Sequence, residues 1–266
     1  MNRNAPIGVF DSGLGGLTVV HSIKQSLPNE SIIYFGDTAR VPYGAKSAKT
    51  VTHFSRQIIN FLIDRGVKMV VVACNTVSAL ALTALKKQNS IPIIGVIEPG
   101  AEAAVKLTRN NHIGVIGTTA TIQSDAYSTA LKNIKSNLMI STAACPLFVP
   151  LVEEGWTDEP VSLMIAEIYL KPLSDNGVDT VILGCTHYPI IKTIIQSTLH
   201  SSVKLVDSAD AVSEKIAEIL SLKDALSEPG HSDLTCYVTD LPQKFEELGE
   251  RFLREKLANV ALVQLD

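Results

Sequence analysis

Val181-Ile182-Leu183-Gly184-Cys185-Thr186-His187-Tyr188-Pro189 is the stretch whose reading decides the fold of this chain. A short, unbroken apolar run reads as a strand buried on both faces, as in parallel sheets. Gly184 closes the run and leaves Cys185, Thr186 and His187 at the strand tip, and Pro189 suits the first turn of a helix. The pattern has an echo in Val70-Val71-Val72-Ala73-Cys74-Asn75-Thr76. A second echo pairs Ile7-Gly8-Val9-Phe10-Asp11-Ser12-Gly13 with Ile113-Gly114-Val115-Ile116-Gly117-Thr118-Thr119. Cys185 follows Cys74 at nearly the interval by which Ile113 follows Ile7. The chain therefore reads as a duplicated α/β unit, each half delivering one cysteine to a shared cleft.

The composition sets the class. Of 266 residues, 46% are hydrophobic and 19% charged, with a formal net charge of −4, which is ordinary for a globular protein. No basic block or stripe is present, so nucleic acid is not an expected partner. Met1 to Pro6 lead straight into a strand, so no signal peptide and no membrane anchor are expected, and the location expected is cytoplasmic. The most apolar region, Met69 to Leu85, is interrupted by Asn75, Thr76, Ser78 and Thr83, which suits a strand and a helix rather than a membrane span. The 4 cysteines form no C-x-x-C pair and are expected to be free thiols.

Along the chain, strands are expected at 7–11, 32–35, 69–72, 92–96, 113–116, 138–143, 181–183, 203–206, 235–238 and 260–264. Helices are expected to about 27 from the first glycine-rich turn, at 48–64, at 78–88, from 98, at 159–173, to about 199, at 209–221 and at 241–256. Val51, Phe54, Ile58 and Leu62 supply the apolar stripe of the helix at 48–64. Alternating strands and helices predict an α/β fold with mostly parallel sheets. The repeat and the tail together predict two similar domains related by a pseudo-twofold axis. Residues 1–98 plus 208–266 form the first and 99–207 the second, with the active site in the cleft between them. In such sheets ligands bind beyond the C-terminal ends of the strands, where every polar cluster of this chain falls.

Each cluster has a plain structural reading beside the functional one. Asp11-Ser12-Gly13-Leu14-Gly15-Gly16-Leu17-Thr18 lacks the last glycine of a dinucleotide fingerprint, because Thr18 stands there. It reads as a tight strand-to-helix turn capped by Ser12, whose N–H groups can also hold a carboxylate. Gly36 to Gly44, containing Pro42-Tyr43-Gly44, is long for a strand–helix connection and so is a candidate binding loop. The turn Gly117-Thr118-Thr119-Ala120-Thr121 reads as threonine capping, with Thr118 and Thr121 also candidates for substrate binding. Cys145 to Gly155 is an apolar segment ending in Glu153 and Glu154. A lone cysteine at a strand end is usually a small buried hydrophobe, and Cys145 and Cys236 keep that reading. Cys74 and Cys185 differ, since they occupy matching places beside Asn75-Thr76 and Thr186-His187. A thiolate is a competent base, and His187 and Asp11 stand near enough in the pattern to assist. His21, His53, His112, His200 and His231 have no such company and read as structural or exposed.

The motifs Asp11-Ser12-Gly13-x-Gly15-Gly16, Pro42-Tyr43-Gly44, Ala73-Cys74-Asn75-Thr76, Glu98-Pro99-Gly100-Ala101, Pro150-Leu151-Val152-Glu153 and Gly184-Cys185-Thr186-His187-Tyr188-Pro189 resemble those of bacterial glutamate racemases, in order and spacing over nearly the whole chain. The resemblance implies a cofactor-independent enzyme, with no metal, that interconverts L- and D-glutamate and feeds D-glutamate to peptidoglycan synthesis. It implies that Cys74 acts on D-glutamate and Cys185 on L-glutamate, with Asp11 supporting Cys74, and Glu153 and His187 supporting Cys185. It implies a substrate lining of Asp11, Ser12, Tyr43, Gly44, Asn75, Thr76, Thr186 and His187, and a homodimer. The chemistry is coherent, since inversion at Cα needs a proton removed on one face and delivered on the other.

Other readings are a related amino-acid racemase acting on aspartate, a zinc enzyme using Cys74, Cys185, His187 and Asp11, and a non-catalytic amino-acid-binding protein. The four residues lack structural zinc-finger spacing. A two-lobed binding protein has no need of paired thiols. A pyridoxal enzyme requires a Schiff-base lysine, and Lys46 is the only lysine close to these motifs.

Overall fold

The computed structural model describes residues 2–230 and 232–265. The strands are β1 (Ile7–Asp11), β2 (Ile32–Gly36), β3 (Met69–Val72), β4 (Ile93–Gly95), β5 (His112–Gly117), β6 (Met139–Ala144), β7 (Thr180–Gly184), β8 (Lys204–Asp207), β9 (Leu234–Val238) and β10 (Val260–Leu262). The helices in the first part of the chain are α1 (Leu17–Ser26), α2 (Ala48–Asp64), α3 (Asn75–Leu80), α4 (Leu82–Gln88), α5 (Ile97–Leu107), α6 (Thr119–Gln123) and α7 (Ala126–Ile134). Those that follow are α8 (Phe148–Glu153), α9 (Pro160–Asp175), α10 (Lys192–Thr198), α11 (Ser208–Leu222) and α12 (Pro242–Leu253).

The strands form two sheets, ordered β10-β9-β2-β1-β3-β4 and β6-β5-β7-β8, and every pairing is parallel. The run β2-β1-β3-β4 of the first sheet has the order of β6-β5-β7-β8 in the second. The expected repeat is thus visible as topology. β1 corresponds to β5, and β3, which ends before Cys74, to β7, which ends before Cys185. Strands β9 and β10 are added at one edge of the first sheet, so the C-terminal tail returns to the half where the chain began.

Central strands carry continuous apolar runs because both of their faces are covered. β1, β3 and β7 are buried at every position. On α2 the buried residues Val51, Ile58, Ile59 and Leu62 lie on one stripe, and Ser47 caps its N-terminus by accepting from the Thr50 N–H. One apolar cluster runs without a break from α1 and β1 of the first half to β7 and α11, so the halves share a core at their junction. Among the described residues no helix is long and apolar enough to cross a membrane.

The structure differs from the sequence expectations in the connections. The expected helix at 78–88 starts at Asn75, directly after Cys74, and breaks at Ala81, whose φ of −125° leaves the helical region. Between the threonine turn and β6, where the sequence reading assigns no element, the chain forms α6 and α7. Their joint is Asp125, in the left-handed region at φ 53°, a break that no glycine or proline announces. The apolar segment before Glu153 is the short helix α8. Pro150 is tolerated there because first-turn N–H groups have no helical acceptor.

Candidate active site

Loops at the C-terminal ends of strands from both sheets enclose a cavity of about 420 Å³. From the first sheet come Ser12 and Gly13 after β1, Val41 to Ala45 after β2, and Cys74 to Thr76 after β3. From the second come Thr118 and Thr119 after β5, Pro146, Val149, Pro150 and Glu153 after β6, and Cys185 to His187 after β7. Both thiols, with Ser12, Pro42, Tyr43, Gly44, Asn75, Thr76, Thr118, Glu153, Thr186 and His187, therefore meet at one cavity. Asp11 and Thr121 stand behind the lining. Ala45, Thr119, Pro146 and Val149 line the cavity without being candidate site residues; Ala45 and Thr119 adjoin Gly44 and Thr118, and Pro146 and Val149 lie in the apolar segment before Glu153.

The two sulfurs have different surroundings. Cys74 caps α3 at the tip of β3, is 6% exposed, and points its thiol at Ser12 Oγ, 3.7 Å away. Asp11 is buried on the adjacent strand, its Oδ2 accepting from the Gly13 N–H at 3.1 Å and its Oδ1 unpartnered. Burial raises the Asp11 carboxyl above the usual carboxylate range, against the pull of His187 and of backbone N–H groups. Burial, and then the charge of Asp11, push the Cys74 thiol up to about 12.

Cys185 lies at the head of a relay. His187 Nδ1 is 3.9 Å from its Sγ, and His187 Nε2 is 3.0 Å from Glu153 Oε1. Burial alone would pull the His187 pKa down; hydrogen bonds and charge from Cys185 and Glu153 win and raise it to about 10. Burial likewise acts to raise the Glu153 carboxyl, but the hydrogen bond and charge of His187 leave it below its ordinary value. A thiolate on Cys185 thus has a cation as its neighbour, whereas a thiolate on Cys74 faces a carboxylate.

His187 holds its proton more tightly in the folded protein than in the unfolded chain. Its contribution to stability is fully present below about pH 6.5 and is lost as pH rises through about 10. The stability advantage of the wild type over H187Q, measured by urea unfolding, is expected to shrink across that window. A constant difference would mean that the proton is held elsewhere.

The halves are interlocked around the cavity. Thr76 Oγ1 lies 3.0 Å from Thr118 Oγ1, and Thr118 Oγ1 lies 2.9 Å from Thr121 Oγ1. Thr118 also caps α6, accepting from the Thr121 N–H, and lines the cavity, whereas Thr121 does not. Tyr127 donates to Asn75 Oδ1 at 2.7 Å. This orients the Asn75 amide and leaves Nδ2 as a buried donor with no partner among the described residues. Thr18 Oγ1 donates to the Thr186 carbonyl at 3.2 Å.

Glycine is required at Gly15 and gives close contact at Gly44. A Cβ on Gly15 would lie 2.5 Å from His187 Nδ1, and one on Gly44 would lie 3.1 Å from Thr118 Cβ. Gly15 of the β1–α1 turn thus admits Thr186 and His187 of the other half. Tyr43 faces the cavity with its hydroxyl committed to buried Asp37, which also accepts from Arg40 Nε and Thr239 Oγ1.

Cys145 and Cys236 are buried and free, as are Cys74 and Cys185. His21, His53, His112 and His200 stand outside the cavity lining; His231 lies outside the described residues. Among the described residues no group of three or more His, Cys, Asp or Glu side chains could hold a metal ion.

Residues 7–216 match the family described as Asp/Glu/Hydantoin racemase. The chain belongs to that family. A glutamate racemase of Geobacter metallireducens is 52% identical, over 98% of this chain and 97% of the relative. The crystal structure of the Francisella tularensis glutamate racemase in complex with D-glutamate superposes with a TM-score of 0.93 at 42% identity, covering 99% of each chain. A glutamate racemase of Bacillus anthracis gives a TM-score of 0.95 at 39% identity, also covering 99% of each. At this coverage family membership extends to both sheets and to the tail.

Proposed function

We propose that this protein is a glutamate racemase in which Cys74 and Cys185 work on opposite faces of the substrate Cα. The observation that carries the reading is that two cysteines from corresponding strands of two sheets open on one cavity. The names of the relatives support glutamate as the substrate.

The α-proton of an amino acid is weakly acidic, so the carbanion needs electrostatic stabilisation. The Asn75 amide nitrogen and the hydroxyls of Ser12, Thr76, Thr118 and Thr186 supply donors around the carboxylate, and Thr121 holds Thr118 and Thr76 in place. In one direction the Cys185 thiolate takes the proton from L-glutamate, with His187 and Glu153 managing its charge, while the Cys74 thiol protonates the other face. In the reverse direction Cys74 takes the proton from D-glutamate and Cys185 returns one. Asp11, beneath Cys74, manages the proton on that side. Burial and the charge of Asp11 hold Cys74 as a thiol, the form that delivers a proton in the L-to-D direction.

The proposal includes the two-domain division at 1–98 plus 208–266 and 99–207, a cytoplasmic role in supplying D-glutamate for peptidoglycan, and assembly as a homodimer. Light scattering with and without glutamate is expected to give twice the chain mass; a strict monomer in both would reject the dimer. The test of function is circular dichroism of L-glutamate, and separately of L-aspartate, incubated with the pure protein without added cofactor. The glutamate signal is expected to decay to zero and the aspartate signal to persist. Decay of the aspartate signal alone would replace this substrate assignment.

A further inference from the structure

The Glu153–His187–Cys185 relay belongs to the second sheet, yet its central ring is walled by the first. One wall is the β1–α1 turn, where the backbone of Gly15 comes so close to His187 Nδ1 that a Cβ there would lie 2.5 Å away. The other is Phe252 on α12, which meets the imidazole edge-to-face, with ring centroids 5.2 Å apart and planes at 79°. Hydrogen bonds to Cys185 and Glu153 fix the two nitrogens but not the tilt of the ring about the line joining them. The two walls fix the tilt.

We propose that α12 braces the relay, with Phe252 as a positioning residue that sets the plane of the His187 ring. The proposal rests on the two-thiol reading above. Other features of α12 fit this role. Gly249 lets the helix settle onto α1, since a Cβ there would lie 2.8 Å from Leu17 Cδ1, and His21 Nδ1 ties α1 to the Leu253 carbonyl at 2.9 Å. Lys244 acts electrostatically on Glu153. The Arg251 guanidinium lies against Gly155, just beyond the C-terminus of α8, where a cation is favourable.

The brace makes the two thiols unequal. Cys74, Ser12 and Asp11 all stand on the first sheet, so their geometry survives any relative motion of the halves. His187 loses both walls if the halves part, and alignment of the Cys185 side therefore depends on closure.

The test is a pair of α-deuterium isotope effects on kcat/KM, with α-deuterated L-glutamate reporting the Cys185 step and α-deuterated D-glutamate the Cys74 step. In F252L, which keeps an apolar side chain, kcat/KM is expected to fall about tenfold to a hundredfold, as for a misplaced catalytic group. The isotope effect with L-glutamate should rise and that with D-glutamate should fall, because only the Cys185 step has been slowed. G249A, whose Cβ would press on Leu17 of α1 and on Leu257, should shift both isotope effects in the same directions. F61L, which alters an aromatic cluster on α2, should leave both as in the wild type. Parallel or unchanged isotope effects in F252L and G249A, whatever the loss of stability, would overturn the brace and leave Phe252 as packing. A wild type that racemises glutamate without using two thiols, shown by full activity in a cysteine variant, would instead remove the reading beneath the proposal.

Discussion

C74A and C185A are each expected to abolish racemisation in both directions, by at least about a thousandfold, within the range that a positioned acid or base contributes. In the proposed mechanism each turnover takes a proton with one sulfur and returns one with the other, so neither variant retains half of the activity. The same geometry predicts an isotopic result. In D2O, product of a single turnover should carry deuterium at Cα, and recovered substrate should carry little, because the removing thiol faces the side away from the product's new bond. Circular dichroism reads the first result and mass spectrometry the second. Substantial racemisation by either alanine variant, or transfer of the substrate's own proton to product, would mean that one base does the work. The two variants should also fold normally, since each truncates a small side chain that opens on a cavity.

K68M is expected to lower stability by about 3–5 kcal/mol, the usual cost of removing one partner of a buried ion pair. Lys68 and Glu30 have side chains 0% and 1% exposed and meet at 2.5 Å. They stand just before β3 and β2, at the end of the sheet opposite the cavity. Lys68 Nζ also donates to the carbonyls of Arg3 and Ala225 at 2.7 and 2.9 Å, and Glu30 accepts from the Ser227 N–H and hydroxyl at 2.9 and 2.8 Å. One ion pair therefore ties together the N-terminal segment, two central strands and the loop after α11. At roughly 2–4 °C per kcal/mol for a chain near this size, the loss is measurable as a fall in Tm. Activity per folded molecule should be unchanged. The double variant K68M/E30L should recover much of the loss, because no uncompensated charge remains buried. A fall of less than about 1 kcal/mol in K68M would show that water or a neighbouring group takes over the carboxylate.

These two cases mark where sequence reasoning succeeds and where it stops. The cysteines were legible because their chemistry is carried by a local pattern, a buried strand ending in a small residue and a thiol, and because the pattern occurs twice. Lys68 and Glu30 were not. Each is a single charge at the edge of an apolar run, which usually means a solvated strand end, and their sequence positions say nothing of each other. The same limit explains Phe252. It is one apolar position on an amphipathic C-terminal helix, and only packing shows that it faces a histidine of the other half.

The sequence alone determined the class, the repeat and the candidate residues at the strand tips. These follow from short-range physics: apolar runs must be covered on both faces, parallel strands need crossovers, and polar groups concentrate at strand tips. Tertiary structure decided the rest. It placed Asp11 under Cys74 and the Glu153–His187 pair beside Cys185, so that two similar thiols acquire unlike electrostatics. It committed the Tyr43 hydroxyl to Asp37, and it left the Asn75 amide with a free donor by engaging its oxygen with Tyr127. Each of these depends on distances between residues far apart in the chain, set by how two sheets close on one another, and no local pattern carries that information.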